Sequence, residues 1–202
     1  LPISYEGRYR WIVFLPSRTH PGRPANNRYF GVFMDGRLKY RGIEARRRDA
    51  PPIVKKMQLE ILEKLAEARD PEQLREKALE AIEIYRGYAR RLILGDVSIE
   101  DLAITQVLSM DPDDYAVEVR QAVAAKHLER AGIRIVSGQA VTYVIAGANG
   151  LSKAIPIQLI GEDSYRLGPY LRMLERAAYT IINLILRSFK EGSAQRLRGN
   201  FP

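Results

Sequence analysis

The chain has 202 residues, 46% hydrophobic and 28% charged, so it can bury a core and should be globular rather than disordered. Its net charge of +8 is concentrated: residues 1–56 carry thirteen basic and four acidic side chains, residues 57–202 nineteen and twenty, which points to a polyanionic partner docking on the first quarter. The absence of cysteine excludes disulfides, Cys-ligated zinc and iron–sulfur clusters, and no apolar run approaches the ~18 residues of a membrane span.

No signal-peptide pattern is present either, so a cytoplasmic chain is expected, with no membrane partner. The zero cysteine count and abundant Arg and Glu lean toward a thermophilic source. The first residue is Leu1 rather than Met, so the chain reads either as a piece of something longer or as lacking its natural start.

Residues 1–15 read as extended, and 11–15 (WIVFL) form a continuous apolar run that suits a buried strand. Residues 16–24 are a loop by their prolines and glycine; His20 within it has no second His nearby and reads as a loop histidine. Two β-prone runs, 29–34 and 38–43, flank Asp35-Gly36, which predicts a hairpin closed by a type I′ turn. Between Arg37 and Lys56 stand eight basic residues (Arg37, Lys39, Arg41, Arg46, Arg47, Arg48, Lys55, Lys56) against Glu44 and Asp49. Such a run is either a solvated face or a ridge for phosphates, to which Arg offers forked, permanently charged donors. Its position at the end of a hairpin strand favours the ridge.

Asp49, Ala50 and the Pro51-Pro52 pair predict a helix start, with the helix running to about residue 68 behind a stripe of Ile53, Met57, Ile61, Leu62 and Leu65. A second helix opens at Asp70-Pro71 and ends near Gly95, lined by Leu74, Ala78, Ile82, Tyr85, Ala89, Leu92 and Ile93; the short connection predicts an antiparallel pair. Ser98 and Asp101 form a capping box, 102–108 reads as extended, and 111–114 (DPDD) as a turn opening a helix from about 114 to Gly132. Residues 133–136 and 140–146 read as two strands about Ser137-Gly138, 155–160 as weakly extended, and 165–190 as a last helix with Leu171, Leu174, Ala178, Ile181, Ile182 and Ile185 inward. From Gly192 the tail reads as frayed. The order of elements gives an α+β fold: a β-hairpin piece at 1–50, then a mostly helical piece with a small β element at 51–202.

No catalytic constellation emerges. His20 and His127 are isolated, and no Walker loop or GxGxxG is present. The acidic run Asp111, Asp113, Asp114 lacks the alternation of a calcium loop. Taken alone, the residues describe a nucleic-acid-binding body without an active site and without a metal or cofactor of its own.

The strings YEGRYRWIVFLP, NNRYFGVF and RGIEARRRD resemble the palm of family B DNA polymerases just after their catalytic aspartates, where the family carries a YEG-type strand, a KKRY motif, a hairpin and a GLE-x-x-RRD motif. DYAVEVRQAVAAKHLERAGIRIVSGQAVTYVIAG is similar to the family's thumb, with Gly132, Gly138 and Tyr143 at matching places, and YRLGPYLRMLERAAYTIINLI resembles the closing thumb helix. The resemblance covers nearly the whole chain.

It implies that residues 1–50 are the end of the palm and 51–202 the thumb. It places Asn26, Asn27, Arg28 and Tyr29 at the KKRY motif in the minor groove, where Asn can still hydrogen-bond the acceptors common to all base pairs. It sets Arg47 and Arg48, with Arg46 and Arg41 beside them, on the primer backbone. Lys55 and Lys56 follow as phosphate contacts on the first thumb helix, and Arg120, Lys126 and Arg134 as candidates in the later thumb. Residues 172–176 depart from the family's wording there, which leaves that helix's contacts open. The implied partners are primer–template DNA and a larger polymerase chain carrying exonuclease, fingers and catalytic palm, with Mg2+ held in the complete enzyme. In some archaea such a polymerase is encoded as two chains broken within the palm, and a piece of roughly 200 residues resembles the smaller one. The alternatives are a cut fragment of a single-chain enzyme and a stand-alone, non-enzymatic nucleic-acid-binding module. Gln195 with Phe201 also resembles a sliding-clamp peptide, though Leu197 is misplaced for it and a basic tail is the plainer reading.

Overall fold

The computed structural model describes residues 4–17, 23–147, 153–161 and 165–198. His20, part of the 147–152 turn and Phe201 lie outside them. The fold is α+β, with two three-stranded antiparallel sheets and three long helices. The chain forms two compact units that interleave in sequence: one comprises Leu1–Arg46, Lys56–Tyr88 and Leu174–Pro202, the other Arg47–Lys55 and Ala89–Met173.

The first unit is built on strands β1 (Tyr9–Pro16), β2 (Pro24–Phe33) and β3 (Leu38–Arg41), in that spatial order. Because strand side chains alternate between faces, the register Val13↔Phe30 and Phe30↔Tyr40 puts Trp11, Val13, Phe30, Val32, Leu38 and Tyr40 on one face. Phe30 and Val32 are fully buried there. Helix α1 (Pro52–Ala66) buries the expected stripe of Ile53, Met57, Ile61, Leu62 and Leu65. Its C-terminal carbonyls, which no helical N–H can reach, are met from β1: Arg10 donates to Ala66 O (3.3 Å) and the Trp11 indole to Ala68 O (3.2 Å). Asp70 caps helix α2 (Pro71–Leu94) by accepting from Gln73 N–H at 2.8 Å. Lys64, Glu67, Lys77 and Glu80 lace the connection between these helices with ion pairs.

Three expectations change in this unit. The hairpin forms, but with a three-residue loop: Gly36 N–H donates to Phe33 O across Met34-Asp35, Phe33 N–H donates to Arg37 O, and Gly36 sits at φ +88°. That is a turn followed by a left-handed glycine, the next most common hairpin loop after the two-residue one. Residues 11–15 are not a buried strand. β1 is an edge, only Leu15 is fully buried, and Phe14 is 48% exposed. The strand after the hairpin ends at Arg41; Gly42 and Ile43 bend the chain into a single 3-10 turn, Glu44–Arg46, so Arg46 rides on a turn rather than on a strand end.

The second unit pairs β4 (Ile104–Val107), β5 (Ala140–Ala146) and β6 (Lys153–Pro156) in that order, with helix α4 (Arg120–Arg130) packed on β5 and β6. Ser98 caps the short helix α3 (Ile99–Leu102) through Asp101 N–H, as the capping box predicts. Residues 133–136 are not a strand; β4 takes the place beside β5 that they were expected to fill. Helix α4 starts at Arg120, not at 114, because the chain first folds back so that Ser109 N–H donates to the Tyr115 hydroxyl (2.9 Å). It ends as expected at Gly132, φ +85°, with Ile133 N–H donating back to Leu128 O. Ile93, expected on the inner face of α2, is 59% exposed. Helix α5 (Leu167–Arg198), whose residues from Leu174 on belong to the first unit, runs into the tail expected to be frayed, since Ala, Gln, Leu and Arg after Gly192 are good helix formers. Its Leu174, Ala178, Ile181, Ile182 and Ile185 are buried, and Leu171 is half-buried. Tyr170, fully buried, accepts from Ile145 N–H (2.8 Å) and donates to Leu102 O (2.9 Å).

Candidate nucleic-acid interface

On the first unit the candidate surface is the sheet face opposite the core. Tyr29 lies directly across from Phe14 on β1 and Arg41 on β3, and Gly31 across from Ile12 and Lys39. Alternation therefore brings Asn27, Tyr29, Lys39 and Arg41 onto one face with Phe14, whose ring lies 5.8 Å from that of Tyr29. Phe14, Asn27 and Arg41 are exposed there, and Tyr29 and Lys39 are half-buried; aromatic and cationic side chains on a sheet are suited to a nucleic-acid surface, where rings stack and cations meet phosphates. Asn26 lies on the same strand.

Arg28 belongs elsewhere. It shares the parity of Phe30, and its guanidinium donates to Gly42 O (3.2 Å) and Pro16 O (3.0 Å), tying the ends of the three strands together. The tie depends on Gly42, at φ +66°: a Cβ there would lie 2.6 Å from Asn27 O and from the Arg28 side chain. Lys39, part of the basic run but not among the residues that the resemblance places on DNA, shares this face with Arg41. It pairs with Glu6, and this hydrogen bond lowers the Glu6 pKa and raises that of Lys39. Arg37 is engaged at the hairpin tip, with Asp35 (2.7 Å), Glu6 O (3.2 Å) and the Phe33 ring, 4.8 Å from its centroid. Arg46 is exposed on its 3-10 turn, and Lys56 is exposed on α1.

The second unit holds Arg47, Arg48, Lys55, Arg120, Lys126 and Arg134. Arg47 is not an open fork: its Nε and Nη2 donate to the two carboxylate oxygens of Asp49 at 2.8 and 2.6 Å. This bidentate pair holds the Asp49 carboxyl below its ordinary pKa, chiefly through the Arg47 hydrogen bonds. Asp49 is therefore a partner of Arg47. Arg48 is exposed and Lys55 half-buried.

Arg120 opens α4 and is exposed. Its charge reaches Tyr143, as does that of Asp49. Tyr143 donates to Gln106 Oε1 at 2.6 Å, and burial pushes its pKa up to about 12. Lys126 diverges from Arg120: at 100° per residue it stands on another face of α4, where it pairs with Asp113 (2.9 Å) and lines a groove of about 420 Å3 with His127, Arg130 and Lys153. Arg134 is exposed in the segment after Gly132.

The acidic run gathers no ion site. Asp111 accepts from Ser137 N–H (2.7 Å) and Asp113 takes Lys126. Among the described residues no three His, Asp or Glu side chains converge as a metal site would need. No described helix is long and apolar enough to cross a membrane.

Comparison with known proteins joins these features to a family. Residues 25–183 match the family model described as DNA polymerase family B. The DNA polymerase of Archaeoglobus fulgidus is 28% identical over 229 aligned residues, covering all of this chain and 27% of that protein. That of Thermococcus kodakarensis is 25% identical, covering 94% of this chain and 10% of its own length. DNA polymerase 1 of Saccharolobus solfataricus is 26% identical, covering 94% and 20%. The chain therefore spans about a quarter or less of these relatives. The solved family B DNA polymerase of Pyrobaculum calidifontis shares the fold, with a TM-score of 0.68 at 22% identity over 88% of this chain and 22% of that one. With the family pattern matched over most of its length, this chain belongs to DNA polymerase family B.

Proposed function

We propose that this chain is the C-terminal palm and thumb portion of a DNA-directed DNA polymerase, residues 1–50 ending the palm and 51–202 forming the thumb. It grips primer–template duplex through the minor groove and the phosphate backbone while a larger polypeptide carries out the chemistry of replication. The observation that carries this reading is the open sheet face on which Asn27, Tyr29, Lys39 and Arg41 meet, in a chain of this family. Asn27 and Tyr29 read the groove. Arg41, Arg46 and Arg48, with Lys55 and Lys56, meet phosphates, while Arg47 is held in its pair with Asp49. Arg120 and Arg134 add contacts from the second unit, and Lys126 does so from its separate groove. Grip serves catalysis because a primer 3′ end displaced by an ångström is a poor nucleophile.

The nucleotide-binding, exonuclease and metal-holding parts are assigned to the larger polypeptide, and this chain alone is inactive. The edge of β1 supports such a partner. It is an eight-residue strand with no neighbour on its outer side in the described sheet, and it exposes Phe14; an open apolar edge calls for a covering strand. A stand-alone binding module would leave that edge unprotected.

Primer extension tests the reading, using tagged chain alone and again after pull-down from lysate of its source cells. The expected result is inert chain alone and an eluate that extends primers and contains a second, larger polypeptide. An inert eluate with no partner would overturn the two-chain reading.

A further inference from the structure

Apart from the tyrosine hydroxyls, Gln58 is the only polar side chain among the fully buried described residues. It lies on the first unit's part of α1, between Met57 and Leu59, and every strong atom of its amide is used. Its Oε1 accepts from Ala45 N–H at 2.6 Å, and its Nε2 donates to Glu44 Oε2 at 3.0 Å and to Ala177 O at 3.1 Å. The orientation is specified by its partners. Rotating the amide by 180° would set NH2 against a backbone N–H and oxygen against a carboxylate and a carbonyl.

Two of those three partners, Glu44 and Ala45, belong to the 3-10 turn Glu44–Arg46. A single such turn has little hydrogen bonding of its own; here Arg46 N–H donates back to Ile43 O at 3.2 Å. The turn therefore takes its position from outside, from a rigid amide anchored at the same time to Ala177 on α5. Arg46, exposed at the end of the turn, is aimed by that anchor. A core needing only volume at this position would hold an apolar residue at lower desolvation cost.

We propose that Gln58 is a positioning residue for the basic turn: it holds Glu44–Arg46 so that the Arg46 guanidinium is presented to a nucleic-acid phosphate. The proposal rests on the functional reading above, and deepens it by giving a buried residue that touches no DNA a role in DNA binding. Gln58→Met keeps the length of the side chain and removes all three hydrogen bonds.

The test measures fluorescence anisotropy of a labelled DNA duplex with the full chain over a range of salt, alongside hydrogen exchange. Gln58→Met is expected to flatten the slope of log affinity against log salt by about 0.9, the value of one phosphate contact. Arg46→Ala should do the same, and the double variant no more than either, since both remove one contact. The Ala45 amide should exchange about tenfold faster in Gln58→Met, while the amides of β2 keep their protection. A Gln58→Met chain with unchanged slope, or a double variant whose losses add, would overturn the positioning role. Wild-type chain that shows no salt-dependent duplex binding would overturn the functional reading itself, and this role with it. Should Gln58→Met fail to fold, Gln58→Asn carries the same measurements: its amide is one methylene too short to span Ala45 and Ala177.

Discussion

At pH 7 Arg47 and Asp49 form a closed pair, with bonds of 2.8 and 2.6 Å. The Asp49 pKa is lowered, so its contribution to the pair is present above the ordinary carboxylate range and is lost only as pH falls through the depressed value. The side chains are 44% and 34% exposed, and an exposed pair is worth about 0.2–1 kcal/mol, a factor of roughly 1.4 to 5. Toward DNA the pair is close to neutral. Each net phosphate contact contributes about −0.9 to the salt slope and therefore costs roughly 3.5-fold in affinity between 50 and 200 mM salt. Arg48→Ala should flatten the slope by about 0.9. Arg47→Ala should do the same by exposing a bare carboxylate to the phosphates, and Asp49→Asn should steepen it by about 0.9 by releasing the fork. The combined Arg47→Ala/Asp49→Asn variant should then return to the wild-type slope. Anisotropy titrations at four or more salt concentrations (on the order needed to define a slope) decide the matter. A combined variant that loses a full contact would refute the reasoning, because Arg47 would then be touching phosphate with Asp49 still in place.

Tyr170→Phe removes a buried hydroxyl that serves Ile145 N–H and Leu102 O. Leaving two buried groups unpaired should cost about 2–4 kcal/mol in urea unfolding, and a loss under about 0.5 would contradict the assignment. Tyr143 has a pKa raised to about 12. The stability it contributes is fully present below the unfolded value near ~10 and is lost as pH rises through about 12, so spectrophotometric titration should show phenolates ionising late and together with unfolding. Gly42→Ala places a Cβ 2.6 Å from Asn27 O in a left-handed conformation. It should destabilise the chain by about 1–3 kcal/mol and weaken duplex binding through Asn27, whereas unchanged melting and binding would show that the strand ends are not held as described.

The hairpin and the α1 stripe were legible because local periodicity encodes them: Ile53, Met57, Ile61, Leu62 and Leu65 recur at helical spacing, and all are buried. The loop type was not, since a left-handed Gly36 serves both the two-residue and the three-residue hairpin. The strand period also held information that a four-residue motif conceals. Neighbours point to opposite faces, so Arg28 and Tyr29 cannot share a surface, and Lys39 and Arg41 must. Long-range pairing was beyond local reading: β5 pairs with β4 rather than with residues 133–136, and Tyr115 delays α4 by reaching back to Ser109. The Arg47–Asp49 pair follows no helix or strand spacing. Nothing local in the sequence marks Gln58, because the carbonyl that its amide reaches stands 119 residues away.

The most direct test of the central claim is the salt dependence of duplex binding by the chain alone, measured in parallel on two duplexes of unrelated sequence. The account predicts a linear fall of log affinity with log salt, equal for both sequences, and a slope that flattens by about 0.9 in Arg48→Ala. Binding that ignores salt, or a slope untouched by Arg48→Ala, would contradict the claim that this basic surface grips the DNA backbone.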